Sequence, residues 1–248
     1  MARDLVALTL AGSATALATG LGAVPVFMLG DRIEGLRPVL WGLAAGLMGV
    51  ASVVGLLAPA LDEGSAGTVA LGFAAGVAFL LITRSALSHR DVHVGALRGG
   101  GVRRSLLVLA VLFVHSLPEG FAIGTAFASE REGLGLFVLL AIGLQNIPEG
   151  TTSAIPMQQA GFPPSQQFWA AVLTSAPQPV GAVAAYLLVE EITALLPFSF
   201  AFAAGAMLAL VAIELIPQAF TRRTWPSALA GAAAGAAAML ALSALVGV

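Results

Sequence analysis

The chain has 248 residues, of which 58% are hydrophobic and 10% are charged, and its formal net charge is −2. Soluble domains carry about 25% charged residues, so this composition indicates a polytopic membrane protein rather than a series of soluble domains. The absence of cysteine excludes disulfides, thiolate metal sites and iron–sulfur clusters, and no basic patch indicates a nucleic-acid partner.

Runs of about 20 apolar residues, the length that crosses a lipid bilayer as a helix, predict eight transmembrane helices. They lie near residues 5–29, 39–61, 66–87, 104–128, 133–158, 166–189, 193–219 and 225–248. The first run has neither a strong basic flank nor a clear cleavage site, so we expect it to be retained. The sequence therefore predicts one all-α membrane domain over residues 1–248.

The basic residues are all arginine, and their distribution predicts the orientation. With the N-terminus outside, only Arg3 and Arg131 of the 11 arginines lie on the outer side, and the others lie in the cytoplasmic loops. This positive-inside bias predicts an inner-membrane protein with both termini extracytoplasmic.

The second and seventh spans contain a gapless internal repeat. Residues 42–48, GLAAGLM, align with residues 201–207, AFAAGAM. The two spans run in opposite directions in the predicted topology, and inverted repeats are typical of transporters. The alternative is that helices rich in Ala, Gly and Leu resemble one another by composition alone.

Two matching motifs lie in the fourth and fifth spans: HSLPEG at residues 115–120 and QNIPEG at residues 145–150. His115 and Glu119 are four residues apart, as are Gln145 and Glu149, so each pair shares one helix face. A carboxylate in hydrocarbon costs about 2.5–3.5 kcal/mol on insertion scales. Two carboxylates at the same position of two similar motifs therefore indicate a bound cation.

The proline of each motif lacks a backbone donor, so we expect both helices to kink where they line a cavity. His115, Glu119, Gln145, Asn146 and Glu149 would then face one another. This set of nitrogen and oxygen ligands suits zinc, Fe(II), manganese or cadmium, and one divalent ion would neutralise the two carboxylates. The alternative is an intrahelical hydrogen bond between His115 and Glu119, with the two amides joining helices.

The two motifs resemble those of the ZIP (Zrt-, Irt-like protein) metal transporters, closest to the bacterial GufA-like branch. In that family the fourth span carries a His-Asn-x-Pro-Glu-Gly type motif, and the fifth a His- or Gln-led x-Pro-Glu-Gly motif. The resemblance covers the whole chain, including the loop between spans three and four. It implies a 3+2+3 arrangement with an inverted repeat of spans 1–3 and 6–8. It also implies a homodimer, and an elevator-like movement of spans 1, 4, 5 and 6 against the others.

The resemblance implies further ligands outside the two motifs. The family's Ala-Gly-x-Met element matches residues 45–48, which makes Met48 a candidate thioether ligand, and its span-six element places Gln178 at the site. Glu214 corresponds to a glutamate of the inner half of the family's pathway. The candidate metal ligands are Met48, His115, Glu119, Gln145, Asn146, Glu149 and Gln178.

Two departures from the family pattern reduce the number of oxygen ligands. Ser116 stands in place of the motif's asparagine, and Gln178 in place of a glutamate. We therefore expect one bound metal ion, because a second position at Ser116 and Asn146 would lack oxygen ligands and negative charge. His89 and His93 are candidates for capturing a released ion in the cytoplasmic loop, and ordinary loop residues are the alternative reading.

The resemblance implies a transporter rather than an enzyme. Its substrate would be a divalent transition metal, zinc first, with iron, manganese or cadmium as alternatives, moved into the cytoplasm. One rival is a proton-coupled carrier of a small organic cation, which does not explain His115 and Met48. The other is an intramembrane metal hydrolase, for which no His-Glu-x-x-His motif is present.

Overall fold

The computed structural model of the protein describes residues 2–88, 100–129 and 131–248. Every element in these ranges is a helix or a helical turn. The α-helices are α1 (Ala2–Leu29), α2 (Ile33–Ser52), α3 (Ala58–Glu63), α4 (Ala66–Ser88), α5 (Gly100–Ala128), α6 (Leu134–Gln159), α7 (Pro164–Thr174), α8 (Pro177–Glu191), α9 (Leu196–Leu210), α10 (Ile216–Ala219) and α11 (Trp225–Val246). The 3₁₀ turns are Gly30–Arg32 and Thr193–Leu195, and the π-helical turns are Val53–Leu57 and Val211–Leu215.

Seven helical segments of the described ranges are long and apolar enough to cross a membrane, which agrees with the predicted multi-pass membrane class. The first segment, Asp4–Glu63, contains two of the eight predicted spans. Within it, Gly30 has a φ of +58°, a conformation that glycine adopts without strain, and the chain turns there. Helix α1 runs parallel to α6, whereas α2 runs antiparallel to α6. Residues 4–63 therefore run along α6 twice, in opposite directions.

The two helices of the sequence repeat are each interrupted by a π-helical turn. Val53–Leu57 separates α2 from α3, and Val211–Leu215 separates α9 from α10. Each turn ends two residues before a proline, Pro59 or Pro217. Proline removes a backbone hydrogen bond to the preceding turn, and a π-helical turn is one way in which a helix accommodates that loss.

The predicted sixth span, near 166–189, is two helices rather than one. Helix α7 ends at Thr174, and α8 begins at Pro177, whose ring favours the first turn of a helix. Ser175, between them, has φ −97° and ψ 5°. The break places Gln178 in the first turn of α8, and its side chain is fully buried.

Four pairs of parallel helices form the bundle: α1 with α6, α5 with α8, α2 with α11, and α4 with α9. Glycines allow close approach in every pair. A Cβ atom at Gly150 would overlap the carbonyl oxygen of Thr19, and one at Gly120 would overlap that of Gln178. Gly46 packs in the same way on Ala232, and Gly205 on Phe73. Small residues at such contacts are how membrane helices gain packing energy.

The pairs assemble into two groups. Helices α1, α5, α6, α7 and α8 form one group, and α2, α3, α4, α9, α10 and α11 form the other. The groups meet chiefly where α6 packs on α2 and where α5 packs on α9. At the second contact the rings of Phe121 and Phe202 meet edge to face, with centroids 5.7 Å apart.

A methyl group added at Gly150 tests the close approach of α1 to α6. Overpacking of this kind costs about 1–3 kcal/mol, whereas alanine otherwise favours a helix over glycine by up to about 1 kcal/mol. We expect Gly150→Ala to lower the thermal unfolding midpoint of the detergent-solubilised protein. The control is Gly143→Ala on the same helix, where the nearest atom would lie 3.8 Å from the new Cβ, and it should unfold at or above the wild-type midpoint. Equal midpoints for the two variants would contradict this packing.

Candidate metal site

Three of the predicted ligands lie together between α5 and α6. His115 and Glu119 project from α5 and Glu149 from α6, and one ligand atom of each lies within 4.8 Å of the others. The side chains of His115 and Glu119 are fully buried, and Glu149 is 5% exposed. The two proline motifs therefore meet across one helix contact.

Two amides hold the Glu119 carboxylate. Gln145 donates from Nε2 to Oε1 at 2.9 Å, and Gln178 donates from Nε2 to Oε2 at 2.6 Å. Nε2 of His115 lies 3.5 Å from Oε1, without the geometry of a hydrogen bond. The alternative of an intrahelical His115–Glu119 hydrogen bond is therefore not realised, and Glu119 is fixed by neighbouring helices.

Several buried polar atoms beside Glu119 have no hydrogen-bond partner among the described residues. They are the two ring nitrogens of His115, Oε1 of Gln145 and Oε2 of Glu149. Leaving a buried polar atom unpaired costs about 1–3 kcal/mol. Imidazole nitrogen and carboxylate oxygen are among the ligands that zinc takes in proteins, so a cation could bind the unprotonated ring nitrogen of His115 together with these oxygens.

Asn146 and Gln178 bond to each other and to α1. Thr15 donates its hydroxyl to Oε1 of Gln178 at 2.7 Å, and Nδ2 of Asn146 donates to the same oxygen at 3.1 Å. Asn146 also donates to the carbonyl of Thr15 at 2.8 Å, and its Oδ1 accepts from Nε2 of Gln178 at 3.3 Å. Through Gln178, this network holds Oε2 of Glu119, while Gln145 holds Oε1.

Sequence reasoning missed Thr15 and Thr19 on α1. Thr15 joins the network just described, and the hydroxyls of Thr19 and Ser175 lie 2.7 Å apart, at the break before α8. The available signal was their spacing of four residues in an otherwise apolar span. That signal is weak because a threonine hydroxyl can bond to its own helix.

Ser116 lies outside this network. Its hydroxyl donates to the carbonyl of Leu112, one turn earlier in α5, at 3.1 Å. Predicted positions His89 and His93 fall outside the described residues.

A cavity of about 190 Å³ opens beside Glu149 at the boundary between the two helix groups. Met48, 1% exposed, lies on its wall, as does Glu214. The cavity extends from Glu149 to Arg37 and Gln159, at the start of α2 and the end of α6. It therefore joins the buried cluster to the arginine-bearing end of the bundle.

Removing the Gln178 amide should destabilise the protein even without metal. In Gln178→Met the side-chain length is kept, but Oε2 of Glu119 and Oδ1 of Asn146 each lose the donor that Gln178 provides, and each unpaired buried group costs about 1–3 kcal/mol. Thr15 keeps an acceptor, the carbonyl of Gly12 at 2.8 Å. We expect a lower thermal unfolding midpoint in metal-free buffer. The exposed Gln166, in α7, provides the control Gln166→Met, which should unfold like the wild type. A Gln178→Met midpoint equal to that of the control would contradict the network.

Comparison with known proteins identifies related sequences over most of the chain. The profile of the ZIP zinc transporter family matches residues 82–243. The zinc transporter GufA of Myxococcus xanthus is 34% identical over 229 residues, 88% of this chain and 89% of the relative. The zinc transporter ZIPB of Bordetella bronchiseptica is 31% identical over 252 residues, 96% of this chain and 81% of the relative.

A longer Arabidopsis thaliana protein, whose name describes a zinc transporter, is 36% identical over 94% of this chain, which spans 38% of that protein's length. The two bacterial relatives match over most of both lengths, so the likeness covers whole proteins and not one motif. The matched region contains both proline motifs, the break before α8 and Glu214. The chain belongs to the ZIP family as a GufA-like member, and the ZIP family consists of transporters rather than enzymes.

Proposed function

We propose that the protein carries divalent transition-metal ions, zinc foremost, across a membrane through the cluster of His115, Glu119 and Glu149. The observation that carries this proposal is the set of unpaired, buried polar atoms of His115, Gln145 and Glu149 beside a second carboxylate. Leaving such atoms without a ligand is costly, and a bound cation would offset that cost. The names of the relatives, all zinc transporters, support the same substrate class.

The metal would be bound by imidazole and carboxylate, with Gln145 and Met48 as additional ligands. Two carboxylates and one divalent ion sum to zero charge, which lowers the cost of holding the ion away from water. Iron, manganese and cadmium use overlapping ligand sets, so this chemistry defines a class of substrates and not one metal.

The site would hold one ion. A second ion beside Glu119 would need the oxygens of Asn146 and Gln178, and those oxygens already accept hydrogen bonds from Gln178, Asn146 and Thr15. The Nε2 group of Gln178 lies within hydrogen-bonding distance of both Glu119 and Asn146. The Nε2 group of Gln178 therefore occupies the position, between Glu119 and Asn146, that a second cation would need.

The ion would leave through the cavity that joins Glu149 to the arginine-bearing end. That end is cytoplasmic in the orientation that the arginine distribution predicts, so the proposed direction is uptake, with both termini extracytoplasmic, in the inner membrane. The same orientation predicts that His89 and His93, the candidates for capturing a released ion, lie on that side.

Alternating access would arise from movement of one helix group against the other. The pairing supports an inverted 3+2+3 repeat: α1 on α6 corresponds to α8 on α5, and α2 on α11 corresponds to α9 on α4. The metal ligands of α5 and α6 lie in one group, while Met48 and Glu214 lie in the other. Sliding between the groups would therefore separate the cluster from the cavity wall. The homodimer rests on the family resemblance alone.

Removing either carboxylate should abolish transport. We expect Glu119→Ala and Glu149→Ala to reduce uptake of radioactive zinc into proteoliposomes to the level of empty vesicles, because each loses a charged ligand. The control Glu191→Ala changes an exposed glutamate at the end of α8 and should retain wild-type uptake. Monodisperse elution of each variant in detergent checks that it is folded.

Wild-type uptake by folded Glu149→Ala would contradict the assignment of the site. Uptake that zinc and cadmium fail to inhibit competitively would instead indicate the organic-cation carrier.

One ion per chain is the expected stoichiometry. Crystals soaked in cadmium should give a single strong anomalous peak between His115, Glu119 and Glu149, and crystals of Glu149→Ala should lose it. Two peaks about 4 Å apart, the spacing of two-metal sites, would contradict the single-ion site. No peak in the wild type would contradict metal binding there.

A further inference from the structure

The cavity that leads away from Glu149 contains a second carboxylate, Glu214, with different surroundings. Glu214 lies in the π-helical turn Val211–Leu215, and its side chain is 21% exposed. Both side chains line the same cavity, so an ion that leaves Glu149 through this cavity follows a route that Glu214 lines. Its ability to hold that ion depends on what already occupies its oxygens.

Both oxygens of Glu214 are already bonded. Nε of Arg84, from α4, lies 2.6 Å from Oε1, and Nε2 of Gln218 donates to Oε2 at 3.2 Å. Glu149, in the same cavity, has one oxygen that no described residue bonds to. The cavity therefore has one carboxylate ready to bind a cation and one whose charge is already compensated.

A second ion pair lies at the cavity mouth. The cavity reaches Arg37, whose Nη1 lies 2.7 Å from Oε1 of Glu34. Gln159 donates to the other oxygen of Glu34 at 3.1 Å. Among the described residues, the pairs Arg84–Glu214 and Arg37–Glu34 are thus each neutral, whereas Glu119 and Glu149 have no arginine partner.

We propose that Arg84 is a built-in counter-ion that keeps Glu214 from retaining the transported metal. The inference rests on the proposed function and adds the control of ion exit. Arginine does not lose its proton in proteins, so its charge is present under all working conditions. A divalent ion near Glu214 meets a neutral pair rather than a lone carboxylate, and it binds there weakly.

Without Arg84, Glu214 would become a second acidic site on the exit route. A carboxylate beside the Gln218 side chain, which has an amide oxygen of its own, would offer a cation two oxygen ligands. The ion would then stay at the mouth, and transport would slow although the buried site is intact. Arg84 is in this sense a positioning residue that acts through Glu214.

The test counts bound cadmium by equilibrium dialysis of purified protein and measures zinc uptake into proteoliposomes. We expect one cadmium ion per wild-type chain and two per Arg84→Gln chain, with zinc uptake reduced several-fold in the variant. The additional ion should disappear in Arg84→Gln/Glu214→Gln, and uptake should recover. Glutamine keeps a hydrogen-bond donor for Glu214, so the local structure has a substitute for the lost contact.

Arg84→Lys is the matched control, because it keeps the charge and should bind one cadmium ion. A purely structural role would lower stability without adding an ion. One cadmium ion and wild-type uptake in Arg84→Gln would overturn the inference, as would an additional ion that persists without Glu214. The proposed function and the role of Arg84 are tested by different measurements. The ion that depends on Glu149 is counted in the wild type. The ion that depends on Glu214 is counted only in Arg84→Gln.

Discussion

Two carboxylates buried beside one imidazole are the constraint on which the rest of the structure depends. The hydration that each charge loses at this depth must be replaced by protein dipoles or by a cation. The two glutamates differ in how this is done. Glu119 receives amide donors from α6 and α8, whereas one oxygen of Glu149, next to the cavity, has no hydrogen-bond partner in the described part of the chain. In the proposed site, Glu119 would therefore set the geometry, and an ion would enter or leave beside Glu149.

The glycine of each Pro-Glu-Gly motif is part of the same arrangement. Gly120 allows α8 to approach α5 until the backbone of Gln178 touches it, and only then does the Gln178 amide reach Glu119. Gly150 does the same for α1, which brings Thr15 within reach of Asn146. The motif therefore combines a ligand with the helix contact that supports the ligand. A side chain at either glycine would move the supporting helix away from the carboxylate that it helps to hold.

Hydropathy and charge predicted most of the fold, because a carboxylate or an arginine in an apolar span is costly enough to be visible in the sequence. Glu119, Glu149 and the two motifs were found in this way. Thr15 was not, since a threonine in a membrane helix can satisfy its hydroxyl locally and leaves no pattern. Arg84 was counted only as one of the charges that orient the chain, because its pairing with Glu214 joins residues 130 positions apart. The break before α8 was also missed, although residues 174–179, TSAPQP, interrupt the apolar run of the sixth span with two prolines.

The two ends of the bundle are closed to different degrees. At the end opposite the cavity, Arg131 precedes α6 and holds Glu63 at 2.7 Å and Asp62 at 2.9 Å, both at the end of α3. This contact joins the two helix groups, and the cavity separates them at the other end. Exposed ion pairs contribute about 0–1 kcal/mol each, so breaking this contact would cost little. In the proposed movement, we expect the end that carries Arg131 to open when Arg131 leaves α3, and the cavity beside Glu149 to close as the groups slide. In the described conformation, the cavity beside Glu149 opens towards the arginine-bearing end.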